Sequence, residues 1–98
     1  MERIFAYGTL QDPVIQTAVL GHILQGQPDT LHGFRKSTIT FGRAVYPIIV
    51  ADESGSVAGT VYEVTAEELV LLDHYETSAY RRLHVTLASG REAWVYGE

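Results

Sequence analysis

The chain has 98 residues, of which 46% are hydrophobic and 19% charged, and it carries a net charge of −5 and no cysteine. These values are typical of one small globular domain, predicted here over residues 1–98. The acidic balance argues against nucleic acid and anionic membranes as partners, because both bind basic surfaces. Without cysteine, disulfides, thiolate catalysis and zinc–cysteine sites are excluded.

Membrane and export signals are also missing from the sequence. No segment approaches the roughly 18 apolar residues that a membrane-spanning helix needs. The first residues lack the basic region, apolar run and cleavage site of a secretory signal. We therefore expect a cytoplasmic protein with no membrane partner, and no prediction of oligomeric state follows.

The first part of the chain predicts a strand, a sharp turn and a short helix. The apolar run from Arg3 to Tyr7 indicates a strand that ends at Gly8. Asp12-Pro13 is typical of a helix start, with an acid at the N-cap and proline at the first helical position. Gly21 is a plausible C-terminal stop. Apolar residues at helical spacing lie between these signals: Val14, Ile15, Ala18 and Val19.

Three strands are predicted before the second helix. They cover residues 30–40 with an interruption near Gly33, residues 48–51, and residues 57–64. The polar run Asp52-Glu53-Ser54-Gly55 predicts a turn between the second and third of these strands. Gly59 marks a bulge or a close approach of another backbone.

The last part of the chain predicts one helix and a hairpin. Thr65 and Glu68 match a capping box, and the helix is expected to run to about Tyr75. Residues 82–87 alternate in polarity, and Ser89-Gly90 predicts a turn into a final strand. The predicted order is β-α-β-β-β-α-β-β, an α+β fold with a mixed or antiparallel sheet.

Glu76 is the first candidate for chemistry. Leu69, Leu72 and Glu76 are spaced three and four apart and form one stripe on a helix, so the acid is expected to face inward. Burial disfavours the charged carboxylate and raises its pKa, which suits proton transfer. A helix-end acid with its head in water, or an ion pair with Arg81 or Arg82, is an equally good structural interpretation.

The segment Tyr7-Gly8-Thr9-Leu10 is the second candidate. A glycine that leaves a strand just before a helix lets consecutive backbone N–H groups point at one spot, which binds carboxylate or phosphate. Viewed alone, a plain strand-to-helix turn is the simpler interpretation. The four histidines show no metal-ligand spacing, so no metal is predicted. Trp94 and Tyr96 share a strand face and indicate core or cavity wall.

Several short motifs, in order over nearly the whole chain, carry a family resemblance. They are Phe5-Ala6-Tyr7-Gly8-Thr9-Leu10, Leu31-His32-Gly33-Phe34-Arg35, Tyr46-Pro47, Gly59-Thr60-Val61-Tyr62-Glu63-Val64, Leu72-Asp73-His74-Tyr75-Glu76, Tyr80-x-Arg82 and Ala93-Trp94-Val95-Tyr96. Together they resemble the γ-glutamylcyclotransferase-like family, in particular its small bacterial members.

The resemblance implies a fold, a site and a reaction. The fold would be a small mixed β-barrel with flanking helices, with a cavity between the loop and the acid. Gly8, Thr9 and Leu10 would hold the substrate α-carboxylate through backbone N–H groups, Tyr7 would shape the loop, and Glu76 would be the general acid/base. The partner would be a small γ-glutamyl amine or γ-glutamyl amino acid, cyclised to 5-oxoproline. No cofactor or metal is implied.

Two points limit what the resemblance implies. Thr77 follows Glu76 at a position where small relatives commonly have glycine, which affects the expected substrate range more than the fold. Function also depends on the site and not on the fold. The alternative is a non-catalytic small-ligand-binding or interaction module on the same scaffold.

Overall fold

The computed structural model describes residues 1–76 and 80–97. In this part of the chain the elements are β1 (Glu2–Ala6), a 3₁₀ turn (Thr9–Gln11), α1 (Pro13–Leu20), β2 (Gly26–Phe41), β3 (Ala44–Val64), α2 (Ala66–Glu76), β4 (Arg81–Thr86) and β5 (Glu92–Gly97). The strands form one sheet in the order β2-β3-β1-β5-β4, in which only the β1–β5 pair is parallel. The predicted α+β class is confirmed, with the mixed sheet forming a half-barrel beside two helices.

The predicted number of strands between the helices was wrong, because two of the three are one continuous strand, β3. Phe34 pairs with Ala51 and His32 pairs with Ser56, so residues 52–55 lie opposite Gly33 alone. The predicted turn chemistry is present, since the Asp52 carboxylate accepts hydrogen bonds from the Ser54 N–H and hydroxyl. The polar run therefore forms a large bulge inside the hairpin and does not end the strand.

The predicted ends of α1 are confirmed. The Asp12 carboxylate accepts a hydrogen bond from the Val14 N–H at 2.9 Å, Pro13 is the first helical residue, and Gly21 ends the helix with a φ of 83°. Only a residue without a Cβ adopts that left-handed conformation readily. These local signals fix α1 directly after the Tyr7–Leu10 loop.

The predicted capping box of α2 is also confirmed. The Thr65 N–H donates to Glu68 Oε1 at 2.9 Å, and the Glu68 N–H donates to Thr65 Oγ1 at 3.0 Å. Leu69 and Leu72 are both buried on the inner face of the helix. Glu76, one turn further on the same stripe, is the last residue of α2.

The four apolar residues predicted to form α1 all lie in the helix, and two of them pack against the core. Val14 and Ala18 are exposed, whereas Ile15 and Val19 are half-buried and pack against the core. The fully buried residue of this helix is Gln16. The helix turns this amide inward because its two ends satisfy backbone groups of neighbouring loops.

The sheet packs on both of its faces, and β1 contributes to both. Ile4 and Ala6 lie in the cluster under the helices, together with Leu69 and Leu72. Phe5 lies in the second cluster, on the opposite face of the sheet. A strand buried on both faces is expected to be apolar throughout, as β1 is at these positions. The loop that follows β1 therefore starts from a rigid element.

One end of the half-barrel is closed by contacts between β2 and the turn that joins β4 to β5. The Ala88 N–H donates to the Thr30 carbonyl oxygen at 2.8 Å. The Asp29 carboxylate accepts hydrogen bonds from the Ser89 hydroxyl at 2.5 Å and from Arg91 Nη1 at 3.4 Å. These bonds connect the two edges of the sheet at that end.

Neither helix in the described part of the chain combines the length and apolar character needed to cross a bilayer. The cytoplasmic location stays a prediction.

Candidate active site

A cavity of about 560 Å³ lies where the end of β1, the β2–β3 hairpin and the end of α2 meet. Its volume is in the range of sites that bind small molecules. The described residues that line it are Phe5, Ala6, Tyr7, Gly8, Thr9, Leu10, Phe41, Tyr46, Pro47, Tyr75, Glu76, Tyr80 and Tyr96. All five residues predicted for the site therefore lie on the wall of one cavity.

The carbonyl oxygens of the Gly8–Leu10 loop are all engaged within the protein. They accept hydrogen bonds as follows: Gly8 from the Gln11 N–H at 3.1 Å, Thr9 from the Asp12 N–H at 2.9 Å, and Leu10 from Gln16 Nε2 at 2.9 Å. Gln11 is itself held, because its Oε1 accepts from the Thr60 hydroxyl at 3.0 Å. The loop conformation is thus fixed by the protein alone.

The backbone N–H groups of the same loop are not engaged. Within residues 1–76 and 80–97, those of Gly8, Thr9 and Leu10 have no hydrogen-bond acceptor. Orphan N–H groups are normal at the start of a helical turn, where they are available to water or to a ligand. Since these residues line the cavity, their N–H groups are available to donate hydrogen bonds to a ligand. The carbonyl oxygens of the loop are already engaged within the protein. Such an arrangement suits a carboxylate.

Tyr7 and Gly8 set the position of this loop. Tyr7 is buried, and its hydroxyl donates to the Tyr96 carbonyl oxygen at 2.5 Å, which ties the loop to β5. Burial, followed by the nearby Tyr80 and Glu76, raises the pKa of Tyr7, so it stays a neutral donor. A Cβ on Gly8 would lie 3.2 Å from Pro47 Cγ, which leaves little room for a larger residue.

Glu76 projects from the last turn of α2 to the cavity wall. Its side chain is half-buried, and burial raises the pKa of its carboxyl to about 7. No salt bridge to this carboxyl forms among the described residues; Arg82 Nε instead pairs with Asp73 Oδ1 at 2.9 Å. The ion-pair interpretation with Arg82 was therefore wrong. A carboxyl with a pKa near neutrality can both accept and donate a proton.

Aromatic residues form the rest of the wall. Phe41 and Tyr46 come from the tip of the β2–β3 hairpin, Tyr75 precedes Glu76, and Tyr80 precedes β4. These four residues were not predicted to belong to the site, although Tyr46, Tyr75 and Tyr80 are part of the motifs that carry the resemblance. Tyr96 lines the cavity as well, which confirms the prediction of core or cavity wall for that residue.

Three tyrosine hydroxyls in this wall, those of Tyr75, Tyr80 and Tyr96, form hydrogen bonds within the protein. The Tyr75 hydroxyl shares a hydrogen bond with Thr9 Oγ1 at 2.9 Å, and the Tyr80 hydroxyl donates to the Pro47 carbonyl oxygen at 2.6 Å. The Tyr96 hydroxyl donates to Asp73 Oδ1 at 2.7 Å. These bonds connect the loop, the hairpin and α2 around the cavity.

In the described ranges no cluster of three or more histidine, aspartate or glutamate side chains is placed to hold a metal ion. Thr77, where the sequence departs from the family pattern, lies outside the described residues.

Comparison with known proteins gives one family match and several relatives. Residues 4–97 match the family model described as Gamma-glutamyl cyclotransferase, AIG2-like. AIG2-like protein A of Arabidopsis thaliana is 37% identical over 86 residues, which cover 87% of this chain and 51% of that protein. AIG2-like protein C of the same plant is 36% identical over 80 residues, or 81% of this chain and 45% of that protein.

Solved structures agree with the fold. A solution structure of an Arabidopsis thaliana protein has a TM-score of 0.83 and 32% identity, covering 98% of this chain and 67% of that one. A gamma-glutamyl cyclotransferase structure has a TM-score of 0.80 and 17% identity, covering 97% of this chain and 64% of that one. Because the sequence identity to the cyclotransferase structure is only 17%, that comparison supports the fold and nothing further.

This chain spans about half the length of the Arabidopsis relatives that it matches. A single domain over residues 1–98 therefore stays a prediction. The match to the family model, in contrast, extends from Ile4 to Gly97 and includes both the loop and Glu76. The chain belongs to the gamma-glutamyl cyclotransferase, AIG2-like family.

Proposed function

We propose that this protein is a γ-glutamyl cyclotransferase that releases 5-oxoproline from a γ-glutamyl amine or amino acid. One observation carries the proposal: unengaged backbone N–H groups and a carboxyl with a pKa of about 7 line the same cavity. The first can hold an anion and the second can move a proton. The family of the chain favours the same activity.

In this proposal the substrate α-carboxylate binds to the N–H groups of Gly8, Thr9 and Leu10. Hydrogen bonds from backbone N–H groups to a carboxylate are charge-assisted and therefore strong. They require no basic side chain, which fits a chain with a net charge of −5. Because the loop is already fixed by Gln11 and Gln16, little conformational entropy is lost when the carboxylate binds.

Glu76 would then transfer protons between the two nitrogen atoms of the substrate. Its carboxylate accepts a proton from the α-ammonium, and the free amine attacks the γ-carbonyl carbon. A new C–N bond closes the five-membered ring, and the original amide C–N bond breaks. Glu76 returns a proton to the departing amine nitrogen, and the ring nitrogen gives up its second proton, so that the lactam nitrogen is neutral and the amine leaves as an ammonium ion. The products are 5-oxoproline and the amine, and no water is consumed.

The remaining contribution of the site is to hold a folded conformer of the substrate. Nucleophile and electrophile belong to one molecule, so catalysis depends on bringing the α-amine close to the γ-carbonyl. A fixed carboxylate at the loop and a proton acceptor at the end of α2 define that conformer from two sides. Neither role requires a metal or a cofactor.

The test is 5-oxoproline release from a panel of γ-glutamyl amines and γ-glutamyl amino acids. Glu76→Gln should fold and lose turnover by about 10²–10⁴-fold, the usual contribution of general acid–base catalysis. Glu67→Gln is the matched control, since Glu67 is an exposed acid on the same helix. Equal turnover in the Glu76→Gln variant would contradict the assignment of this residue.

A binding module on the same scaffold gives a different result. Saturable binding of γ-glutamyl compounds without 5-oxoproline release from any of them would replace the enzyme with that alternative. The same panel of compounds, with calorimetry to measure binding, distinguishes an enzyme from a binding module.

A further inference from the structure

Glu76 lies where a helix holds its residues least firmly. It is the last residue of α2, and the last carbonyl groups of a helix have no partner within it, so helix ends fray. Within residues 1–76 and 80–97, no salt bridge reaches its carboxyl. The position of this carboxyl in the cavity therefore depends on contacts that hold the last turn of the helix.

Asp73 provides such a contact, one turn before Glu76. Residues three apart are neighbours on a helix surface, so a bond at Asp73 restrains the turn that carries the acid. Asp73 Oδ1 accepts a hydrogen bond from the Tyr96 hydroxyl at 2.7 Å and pairs with Arg82 Nε at 2.9 Å. Asp73 and Arg82 are not among the described residues that line the cavity, so they affect the site through residues that do.

The sheet brings both donors to Asp73. Arg82 on β4 and Tyr96 on β5 are directly paired across the two strands, so their side chains lie on the same face. The Arg82 guanidinium also lies 4.8 Å from the centre of the Trp94 ring, which holds it from a second side. Tyr96 is 6% exposed. Burial, followed by the hydrogen bond to Asp73, raises the pKa of Tyr96, so its hydroxyl stays a neutral donor.

Tyr96 also holds the other half of the site. Its carbonyl oxygen accepts a hydrogen bond from the Tyr7 hydroxyl at 2.5 Å, and Tyr7 immediately precedes the Gly8–Leu10 loop. Tyr96 is thus bonded through its side chain to α2 and through its backbone to the loop. The Tyr75 hydroxyl and Thr9 Oγ1 also connect α2 to the loop, but that bond is exposed, where water competes for it.

We propose that Tyr96 is a positioning residue that sets the distance between the proton-transfer group and the carboxylate-binding loop. This inference rests on the proposed function. Through Asp73, the Tyr96 hydroxyl fixes the turn that carries Glu76. Through Tyr7, its carbonyl oxygen fixes the loop. Ring closure depends on that distance, because the substrate is bound by its carboxylate at one end and loses its ammonium proton at the other.

Removing one hydroxyl at a time separates the two roles. Tyr96→Phe breaks the bond to Asp73 and keeps the backbone bond to Tyr7. We expect kcat to fall by about tenfold or more and KM to change by less than about twofold, since a misplacement of about 1 Å can cost about 10²-fold in rate. Tyr7→Phe breaks only the bond at the loop, and KM should rise by about tenfold because binding must then order the loop. An unchanged kcat in Tyr96→Phe would overturn the inference.

Tyr62→Phe is the matched control. Tyr62 is buried in the same apolar cluster as Tyr96 and is not among the described residues that line the cavity. This variant also loses one buried hydroxyl, so an effect of packing alone would appear in it as well. We expect its kcat and KM to match those of the unmodified protein. A kcat loss equal to that of Tyr96→Phe would count against positioning.

A double variant shows whether Tyr96 acts through Asp73. Asp73→Ala should lower kcat at least as much as Tyr96→Phe does, and the double variant should lose no more than Asp73→Ala alone. Asp73→Asn keeps an acceptor oxygen for the tyrosine hydroxyl, so it should retain most of the kcat that Asp73→Ala loses. Losses that multiply in the double variant would mean that Tyr96 acts independently of Asp73, and the inference would be wrong.

Amide hydrogen exchange tests the helix side without any turnover. In Tyr96→Phe the amides of Tyr75 and Glu76, in the last turn of α2, should exchange about tenfold faster than in the unmodified protein. The amide of Leu69, which donates to the Thr65 carbonyl oxygen in the first turn, should not change. Faster exchange along the whole helix would indicate general destabilisation and would contradict a local role.

The same measurement on Tyr7→Phe tests the loop side. The affected amides should be those of Gln11 and Asp12, which donate to the Gly8 and Thr9 carbonyl oxygens. If no γ-glutamyl compound yields 5-oxoproline, the proposed reaction is refuted, and the exchange pattern still decides whether Tyr96 holds both segments. Unchanged exchange at the helix turn and at the loop overturns the inference while leaving the proposed reaction in place.

Discussion

The side-chain amide of Gln16 donates a hydrogen bond to the Leu10 carbonyl oxygen at 2.9 Å. Its Oε1 accepts another from the Leu24 N–H at 2.8 Å, and the residue is 1% exposed. A buried amide is stable only when both of its ends are satisfied, and here backbone groups satisfy both. Gln16 therefore fixes the peptide group that ends the Gly8–Leu10 loop and is not itself among the residues that line the cavity.

Gln16→Leu should lower the free energy of unfolding by about 2–4 kcal/mol, because it leaves two buried backbone groups without partners. Urea unfolding measures the change. Gln25→Leu makes the same substitution at an exposed glutamine and should change stability by less than about 0.5 kcal/mol. Similar losses in both variants would mean that the two hydrogen bonds contribute little.

Local signals in the sequence predicted the helix ends well, because those signals act locally. Asp12 and Thr65 cap their helices through side-chain contacts two or three residues away. The length of β3 depends instead on its pairing with β2 across the hairpin. A turn signal such as residues 52–55 is absorbed as a bulge when the partner strand continues on both sides of it.

The candidate site shows the same division between local and long-range information. Glu76 was predicted as a site residue from its helical spacing. The loop was predicted from Gly8 and from the helix start that follows it. The aromatic wall could not be derived in this way, because Phe41 and Tyr46 are distant in sequence from Tyr80. Gln16 was missed because helix periodicity predicts which apolar residues are buried, not which amide meets a loop.

Glu76 should make folding stability fall as the pH rises. Its folded-state pKa of about 7 lies above the usual 4.5, so the folded protein binds the proton more tightly and loses stability between those values. Glu76→Gln should therefore be more stable than the unmodified protein at pH 8, by on the order of 2 kcal/mol. The gap should close below pH 4.5.

Thermal unfolding across this pH range measures the gap. Glu67→Gln replaces an exposed acid of the same helix. It should differ little in stability from the unmodified protein, both at pH 8 and below pH 4.5. A Glu76→Gln variant that is less stable at pH 8 would mean that the carboxylate has a stabilising partner.

Asp29 should stabilise the closed end of the half-barrel. Its carboxylate is 3% exposed and accepts hydrogen bonds from Thr30, Ser89 and Arg91. Burial alone would raise the pKa of this carboxyl, but these bonds together lower it below 3.8. A lowered pKa means that the stabilisation is present above pH 3.8 and is lost as the pH falls through the folded-state value.

Asp29→Asn should cost about 1–3 kcal/mol at pH 7, since asparagine replaces a charged acceptor of several hydrogen bonds. The cost should shrink toward pH 2, where the carboxylate of the unmodified protein is itself protonated. Urea unfolding at pH 7 and at pH 2 measures the free-energy cost at each pH. Glu53→Gln, at an exposed acid of β3, is the control. A cost that is independent of pH would show that the charge is not what matters.

His22 and Glu68 should make stability depend on pH in a different range. His22 Nε2 contacts Glu68 Oε2, which joins the end of α1 to the start of α2. The hydrogen bond to Glu68 raises the pKa of His22 above 6.5, so its contribution is complete below pH 6.5 and is lost as the pH rises through the folded-state value. The Thr65 N–H, with His22, lowers the pKa of Glu68 below 4.5, so that contribution is lost in acid.

The contribution of the pair should therefore be greatest between pH 4.5 and 6.5. The Tm difference between the unmodified protein and His22→Ala should peak near pH 5.5 and fall toward pH 9, because neutral histidine no longer attracts the carboxylate. His32→Ala, at an exposed histidine of β2, is the matched control. A flat His22→Ala difference across this range would show that His22 contacts Glu68 without an electrostatic contribution.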